Sequence, residues 1–271
     1  MHDAQGERLL IMSRIHPTAI VDLAAELDSS VEVGAYSLIG PHVKIGAGTV
    51  VGPHVVIEGH TTIGRDNRFF QFNSIGAGNQ DRKYGGEATT LVIGDRNIVR
   101  EFCTLHNGTV QDRAETRIGD DNLIMAYCHV AHDVVIGNQC TLANGATLAG
   151  HVQIGDWATI GGLTGVLQRM RIGAHAMVGF QAHVSLDVPP FMTVDGNPLT
   201  VRAVNLVGLK RRDFSDEQIK VVRQMHKLLY RSDLTLEQAV SAIGELRGQG
   251  GDAEVDAMLN FLAAATRGIV R

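Results

Sequence analysis

The chain has 271 residues, 44% of them hydrophobic, and its 24 Lys and Arg against 29 Asp and Glu leave a net charge of −5. That length can bury a long core, and no apolar run approaches the roughly 20 residues of a membrane-spanning helix. The negative balance and a 5% aromatic content argue against nucleic-acid binding, and three cysteines are too few for a disulfide framework. Residues 1–14, MHDAQGERLLIMSR, form an N-terminal segment with too short an apolar run for a signal peptide and no small-residue cleavage site. With the cysteine usage, this predicts a cytoplasmic protein without an integral membrane segment.

From Ile15 onward an aliphatic residue recurs at every sixth position: Val21, Leu27, Val33, Ile39, Ile45, Val51, Ile57, Ile63, then Phe69 and Ile75. The series returns at Ile93, Val99 and Leu105, and again from Ile118 through Ile124, Val130, Ile136, Leu142 and Leu148 to Val184. A strict six is neither the 3.6 of a helix nor the 2 of an ordinary strand. It is the period of a hexapeptide solenoid, in which three hexads make one triangular coil of parallel strands. Positions 18 apart then stack about 4.8 Å from each other. Glycine commonly follows the aliphatic residue (Gly34, Gly40, Gly46), and a small or amide residue stands four places after it (Ser37, Thr49, Asn67, Asn97). Both are expected at tight corners, where a bulky Cβ would clash. Cys103, Cys128 and Cys140 occupy the small slot and are expected to pack, not to react.

The period breaks twice. Near 76–92 Asp81 and Glu87 stand in slots that should be aliphatic, and near 106–117 the spacing from Leu105 to Ile118 is out of step. Both are expected to leave the coil as loops, where repeat proteins place function. After DVPPF (187–191) the character turns helical. Ser215 with Gln218 and Thr235 with Gln238 read as capping boxes opening amphipathic helices, and GQGG at 248–251 precedes a third helix. A parallel β-helix over 15–190 and an α-helical C-terminal domain over 191–271 are therefore expected, the helices covering the open solenoid end. Between Arg202 and Arg231 eight Lys or Arg face three acids, a local net of +5 in an acidic chain. Such a window is either a solvated helix face or a patch for phosphates or an acidic protein.

Among the twelve histidines, His42, His54, His60, His151 and His175 share the slot three after the aliphatic residue and are expected on the surface. His129-Val-Ala-His132-Asp133 gathers two imidazoles and a carboxylate around one corner. The 18-residue register stacks His132, Gly150 and Gln168 in one column, with His151 beside Gly150. A histidine base next to a glycine amide fits acyl transfer to an alcohol, the amide stabilising the oxyanion; a ladder of inert polar residues is the competing interpretation. Asp81, Arg82 and Lys83 supply charge on the first loop. No Ser-His-Asp signature, phosphate loop or CxxC pair is present in a supporting context.

Eight segments carry a family resemblance: IHPTAIV (15–21), NQDRKYGGE (79–87), IGDRN (93–97), AHD (131–133), LANGATLAGHV (142–152), DVPP (187–190), GLKRR (208–212) and YRSDLTLEQ (230–238). They span almost the whole chain, which resembles the UDP-N-acetylglucosamine 3-O-acyltransferases that open lipid A biosynthesis. The resemblance implies a left-handed parallel β-helix, exceptional among crossovers, and a homotrimer with clefts between subunits. It implies no cofactor, since the acyl donor, typically 3-hydroxylated, rides on the phosphopantetheine of acyl carrier protein. His132 is implied as general base, Gly150 as oxyanion donor and Asp133 as the partner of His132. Asp81, Lys83, His129, His151 and Gln168 match positions on substrate or donor, and Asn205, Arg211 and Arg212 match nucleotide contacts. An acidic carrier protein gives the basic window a purpose. Leu167, Val207 and Phe180 depart from relatives, and Phe180 predicts a shorter acyl groove than in long-chain members.

Other readings share the repeats. A γ-carbonic-anhydrase-like zinc site would need His129, His132 and His151 to converge, whereas no metal is expected on the acyltransferase reading. A non-catalytic assembly module, an acetyl-CoA-dependent sugar acetyltransferase and an N-acylating enzyme for a 3-amino UDP-sugar are the remaining alternatives.

Overall fold

The computed structural model describes residues 14–271, so most of the expected N-terminal segment lies outside the described residues. Short parallel strands, most of them two residues long, assemble into three sheets of nine, eight and ten strands that form the faces of a prism. The first face runs from Ile20–Val21 to His183–Val184, the second from Glu26–Leu27 to Arg171–Ile172, and the third begins at Glu32–Val33. The register is the period itself: Val130 pairs with Leu148 and Leu148 with Val166. Together these coils form a left-handed parallel β-helix. In each strand pair the first residue points outward and the second, such as Ile136, Leu142 or Leu148, is buried in the central core.

The glycines stand where expected, at corners too tight for a bulky Cβ. The left-handed backbone falls not on the glycine after the aliphatic residue but two places later, on Tyr36, His54, Phe72, Asp133, His151 and their counterparts, all with φ near 60°. The glycines serve a different need, because coils approach too closely there for a side chain. A Cβ on Gly34 would lie 2.6 Å from the carbonyl carbon of Gly52 on the next coil.

Inside one corner the small slot carries an asparagine ladder. Asn67 Oδ1 accepts from the Asn97 amide at 2.9 Å, Asn97 Oδ1 from the Asn122 amide at 2.9 Å, and Asn122 Oδ1 from the Cys140 amide at 2.7 Å. The Nδ2 groups of Asn97 and Asn122 donate to Gly119 and Gly137 carbonyls. Backbone groups that turn inward at the corner are thereby satisfied without water. The three cysteines are buried in the same slot, their thiols against carbonyl oxygens of the next coil.

Both excursions leave from the same edge. The first displaces the register from 18 to 30, so that Ile75 pairs with Leu105, and the second to 25, so that Leu105 pairs with Val130. They are tied together: Asn79 Nδ2 donates to the Gly108 carbonyl at 2.8 Å, and Asn107 Nδ2 to Tyr84 Oη at 3.2 Å.

On the helical side of residue 190, Met192–Asp195 and Thr200–Val204 first extend the third face as a hairpin. Four helices follow: α1 (Leu206–Arg211), α2 (Asp216–Tyr230), α3 (Leu236–Gly244) and α4 (Asp252–Ala263). Reciprocal capping boxes open α2 and α3 at Ser215 and Thr235. The helices bury a second core around Val222, Met225, Ile243 and Met258, and the chain returns through Val270 to close the solenoid end. Among the described residues no helix is long and apolar enough to cross a membrane.

Candidate active site

His132 and Asp133 sit on the corner between the first and second faces, just after the strand His129–Val130. Neighbouring residues on a strand diverge. Asp133 instead has φ 57°, and the turn brings its carboxylate back beneath the imidazole. His132 Nδ1 lies 2.9 Å from Asp133 Oδ2. Asp133 is fully buried and also accepts from the Thr109 amide at 3.0 Å and the Thr109 hydroxyl at 2.6 Å, while its own amide donates to Thr116 Oγ1. A carboxylate so held fixes the tautomer of its histidine, with the proton on Nδ1 and the lone pair on Nε2. The second excursion supplies Thr109, so the loop locks the carboxylate that holds the His132 ring.

Gly150 lies directly below, as the register requires. A Cβ there would come within 2.5 Å of His132 Nε2, so only glycine admits the ring. Gln168 follows on the next coil, exposed, its carbonyl accepting from Arg267 at 3.4 Å. Asp81, on the first excursion, has Oδ2 3.9 Å from His132 Nε2. Its carboxyl is held below the usual range, first by the Lys83 amide at 2.9 Å and then by the field of His132. Lys83 itself is exposed.

Two histidines expected on the surface are not there. His151 is 8% exposed, because Asp112 of the second excursion closes over it with a 2.6 Å contact to Nδ1. Its ring meets His132 edge-on, with centroids 4.9 Å apart. His175 is enclosed by Trp157, Phe191 and Phe214, and burial lowers its pKa to about 4. A slot that faces solvent on a bare coil is buried wherever another part of the chain folds over it. His129 Nδ1 is bonded to Thr104 Oγ1 at 2.7 Å, and its pKa is lowered by burial and then by His132. His106 packs edge-on against His129, and burial pushes its pKa down to about 4.

The groups at this corner, then, are His132, Asp133, Gly150, His151, Asp81 and His129. His106, Thr109 and Asp112, which have no periodic signal, join them, as does Arg169, one 18-residue step beyond His151. Asn205, Arg211 and Arg212 lie elsewhere, at the corner between the second and third faces. Asn205 caps α1 by accepting from the Gly208 amide and donates to the His175 carbonyl. Arg212 stacks 5.0 Å over Trp157 and donates to its carbonyl, while its buried Nη1 has no partner. Within one chain these residues and His132 occupy different corners. Phe180 lies 64% exposed at the far edge of the first face, three coils, or about 14 Å, along the axis from His132.

For a metal, donor atoms of His132, Asp133 and His151 lie within 4.8 Å of one another. His129, the third imidazole of a zinc reading, is outside that group. The two imidazoles inside it already direct Nδ1 at carboxylates. This donor set fits an oriented base better than a three-histidine metal centre.

Residues 187–270 match the family model described as UDP N-acetylglucosamine O-acyltransferase, domain 2, and residues 25–59 and 115–150 match the bacterial transferase hexapeptide repeat. An acyl-(acyl-carrier-protein)–UDP-N-acetylglucosamine O-acyltransferase of Leptothrix cholodnii is 69% identical over 96% of this chain and all of its own length. The enzyme of the same name from Verminephrobacter eiseniae is 60% identical over the same shares. Among solved structures, the UDP-N-acetylglucosamine O-acyltransferase of Moraxella catarrhalis superposes with a TM-score of 0.92 at 41% identity, covering 95% of this chain and 100% of that one. LpxA from Acinetobacter baumannii does so with a TM-score of 0.90 at 42% identity over 95% and 100%.

Proposed function

The chain belongs to the family of acyl-(acyl-carrier-protein)–UDP-N-acetylglucosamine O-acyltransferases, and we propose that it acylates the sugar 3-hydroxyl in the first step of lipid A biosynthesis. The observation that carries the mechanism is the His132–Asp133 pair seated over Gly150. With Nδ1–H donated to Asp133, Nε2 of His132 takes the proton of the 3-hydroxyl as its oxygen attacks the thioester carbonyl. The Gly150 amide receives the negative charge on the former carbonyl oxygen. Collapse expels the phosphopantetheine thiolate, which recovers the proton from the imidazolium, leaving 3-O-acylated sugar nucleotide and free carrier thiol. Asp81 and Lys83 orient the sugar, and His129, His151 and Gln168 line the approach of the donor. No cofactor enters the reaction.

The nucleotide half of the site supports a homotrimer. Asn205, Arg211 and Arg212 of one copy belong at a neighbour's His132, because they do not share its corner within a chain. The unpartnered Nη1 of Arg212 is suited to an acceptor on the nucleotide. The basic window over 202–231 is the docking face for acidic acyl carrier protein. The acyl chain lies along the first face, past Thr147 and the bare strand position Gly165, toward Phe180. A panel of 3-hydroxyacyl carrier proteins with UDP-N-acetylglucosamine tests the reading: His132→Ala is expected to lower kcat about 10³-fold. Activity within tenfold of wild type would overturn it, and turnover of acetyl-CoA in preference to the carrier-bound donors would shift the donor class.

A further inference from the structure

Beside the catalytic corner is a cavity of about 380 Å³ built from three separate parts of the chain. The second excursion contributes Asp112 and Arg113, consecutive coils contribute His151, Arg169 and Arg171, and the segment after α4 contributes Arg267. Four guanidiniums and one carboxylate therefore line it. Among the described residues none of the four arginines forms an ion pair with a carboxylate. Asp112 is taken by His151 at 2.6 Å.

Arg171 is partly committed, donating to the Phe261 carbonyl at 3.2 Å and stacking on that ring. Arg267 reaches the Gln168 carbonyl at 3.4 Å. Arg169 makes one long contact, Nη2 to His151 Nε2 at 3.5 Å, and Arg113 makes none among the described residues. A guanidinium does not relieve repulsion by losing its proton. Converging arginines from three chain segments thus call for an anion, and their forked donors match the oxygens of a phosphate.

We propose that this cavity is a phosphate-binding subsite, one imidazole removed from the catalytic base, that holds a phosphate group carried by a substrate. His151 separates it from His132 by a single ring contact of 4.9 Å. Two sources bring a phosphate to that distance: the phosphodiester of the donor's phosphopantetheine arm and the diphosphate of the sugar nucleotide. That choice of sources rests on the acyl-transfer reading; the binding of phosphate does not.

The first experiment needs no turnover. Pyrophosphate and inorganic phosphate are titrated calorimetrically into the full chain at low ionic strength, comparing wild type with Arg113→Gln/Arg267→Gln, which leaves the Arg169–His151 contact intact. Affinity for pyrophosphate is expected to fall at least about tenfold in the variant. Wild type that binds neither anion at about 10 mM, or a variant that binds as well as wild type, would overturn the subsite. Single Arg113→Gln, on an exposed loop, gives the same comparison should the double variant lose its fold.

The second experiment separates the sources. A KM raised about tenfold for acyl-phosphopantetheine but not for acyl-pantetheine assigns the subsite to the donor. A raised KM for UDP-N-acetylglucosamine assigns it to the nucleotide, and no change in either overturns the proposal. Pyrophosphate binding by a wild type without acyltransferase activity would sink the function and spare the subsite.

Discussion

His132 and Asp133 are adjacent in the chain, and on a straight strand their side chains would point apart. The φ of 57° at Asp133 turns them into a bonded pair, and Gly150 provides the only floor on which the ring can lie. Gly150 is not in the left-handed region, so Gly150→Ala adds no backbone strain. Its methyl displaces the His132 ring from Asp133 instead. A fall in kcat of about 100-fold with a melting temperature within about 3 °C of wild type is expected, read by steady-state kinetics and calorimetry. A kcat within threefold of wild type would contradict the seating of His132. Phe180 is expected to bear on substrate length: with the ring removed in Phe180→Gly, the preferred donor should lengthen by about two to four carbons, at ~0.8 kcal/mol per buried methylene. An unchanged profile across a donor series would separate Phe180 from chain selection.

The elements are strands too short to stand alone, and the ladder inside one corner holds successive coils in register. Asn97→Ala removes the acceptor for the Asn122 amide and the donor to the Gly119 carbonyl in a water-free corner. The expected cost is about 2–4 kcal/mol, checked by denaturant unfolding against an exposed substitution such as Lys44→Ala. The hexads were legible because stacking imposes one requirement on every sixth residue. The excursions were legible only as interruptions. Their docking depends on Asn79, Asn107 and Tyr84, three residues with no common spacing, and through it Thr109 and Asp112 reach residues 24 and 39 positions away.

Across the whole molecule, burial of histidines sets an acid limit. His106 and His175 both have folded-state pKa values lowered to about 4 by burial, against an ordinary 6.5. A depressed histidine pKa means the unfolded chain binds the extra proton first, so stability present above pH 6.5 is lost as pH falls toward 4. The loss is up to about 3 kcal/mol per residue. Melting temperature should therefore drop between pH 7 and 4.5, and His106→Gln should flatten that drop; parallel curves for the two proteins would contradict the burial of a neutral His106.

By itself the sequence determined the solenoid, its 18-residue register, the helical cap, and the stacking of Gly150 and Gln168 under His132, because repetition converts spacing into position. Only the tertiary structure decided that His151 and His175 are covered, that Asp133 turns back onto His132, and that four arginines converge beside His151. The covering of the two histidines and the approach of Arg113 and Arg267 depend on where non-repeating segments fold over the repeat, and a segment that shares no period with the coil carries no mark of its partner. The same limit applies to Arg211 and Arg212, which α1 and its C-terminal cap set at a different corner from His132 within one chain.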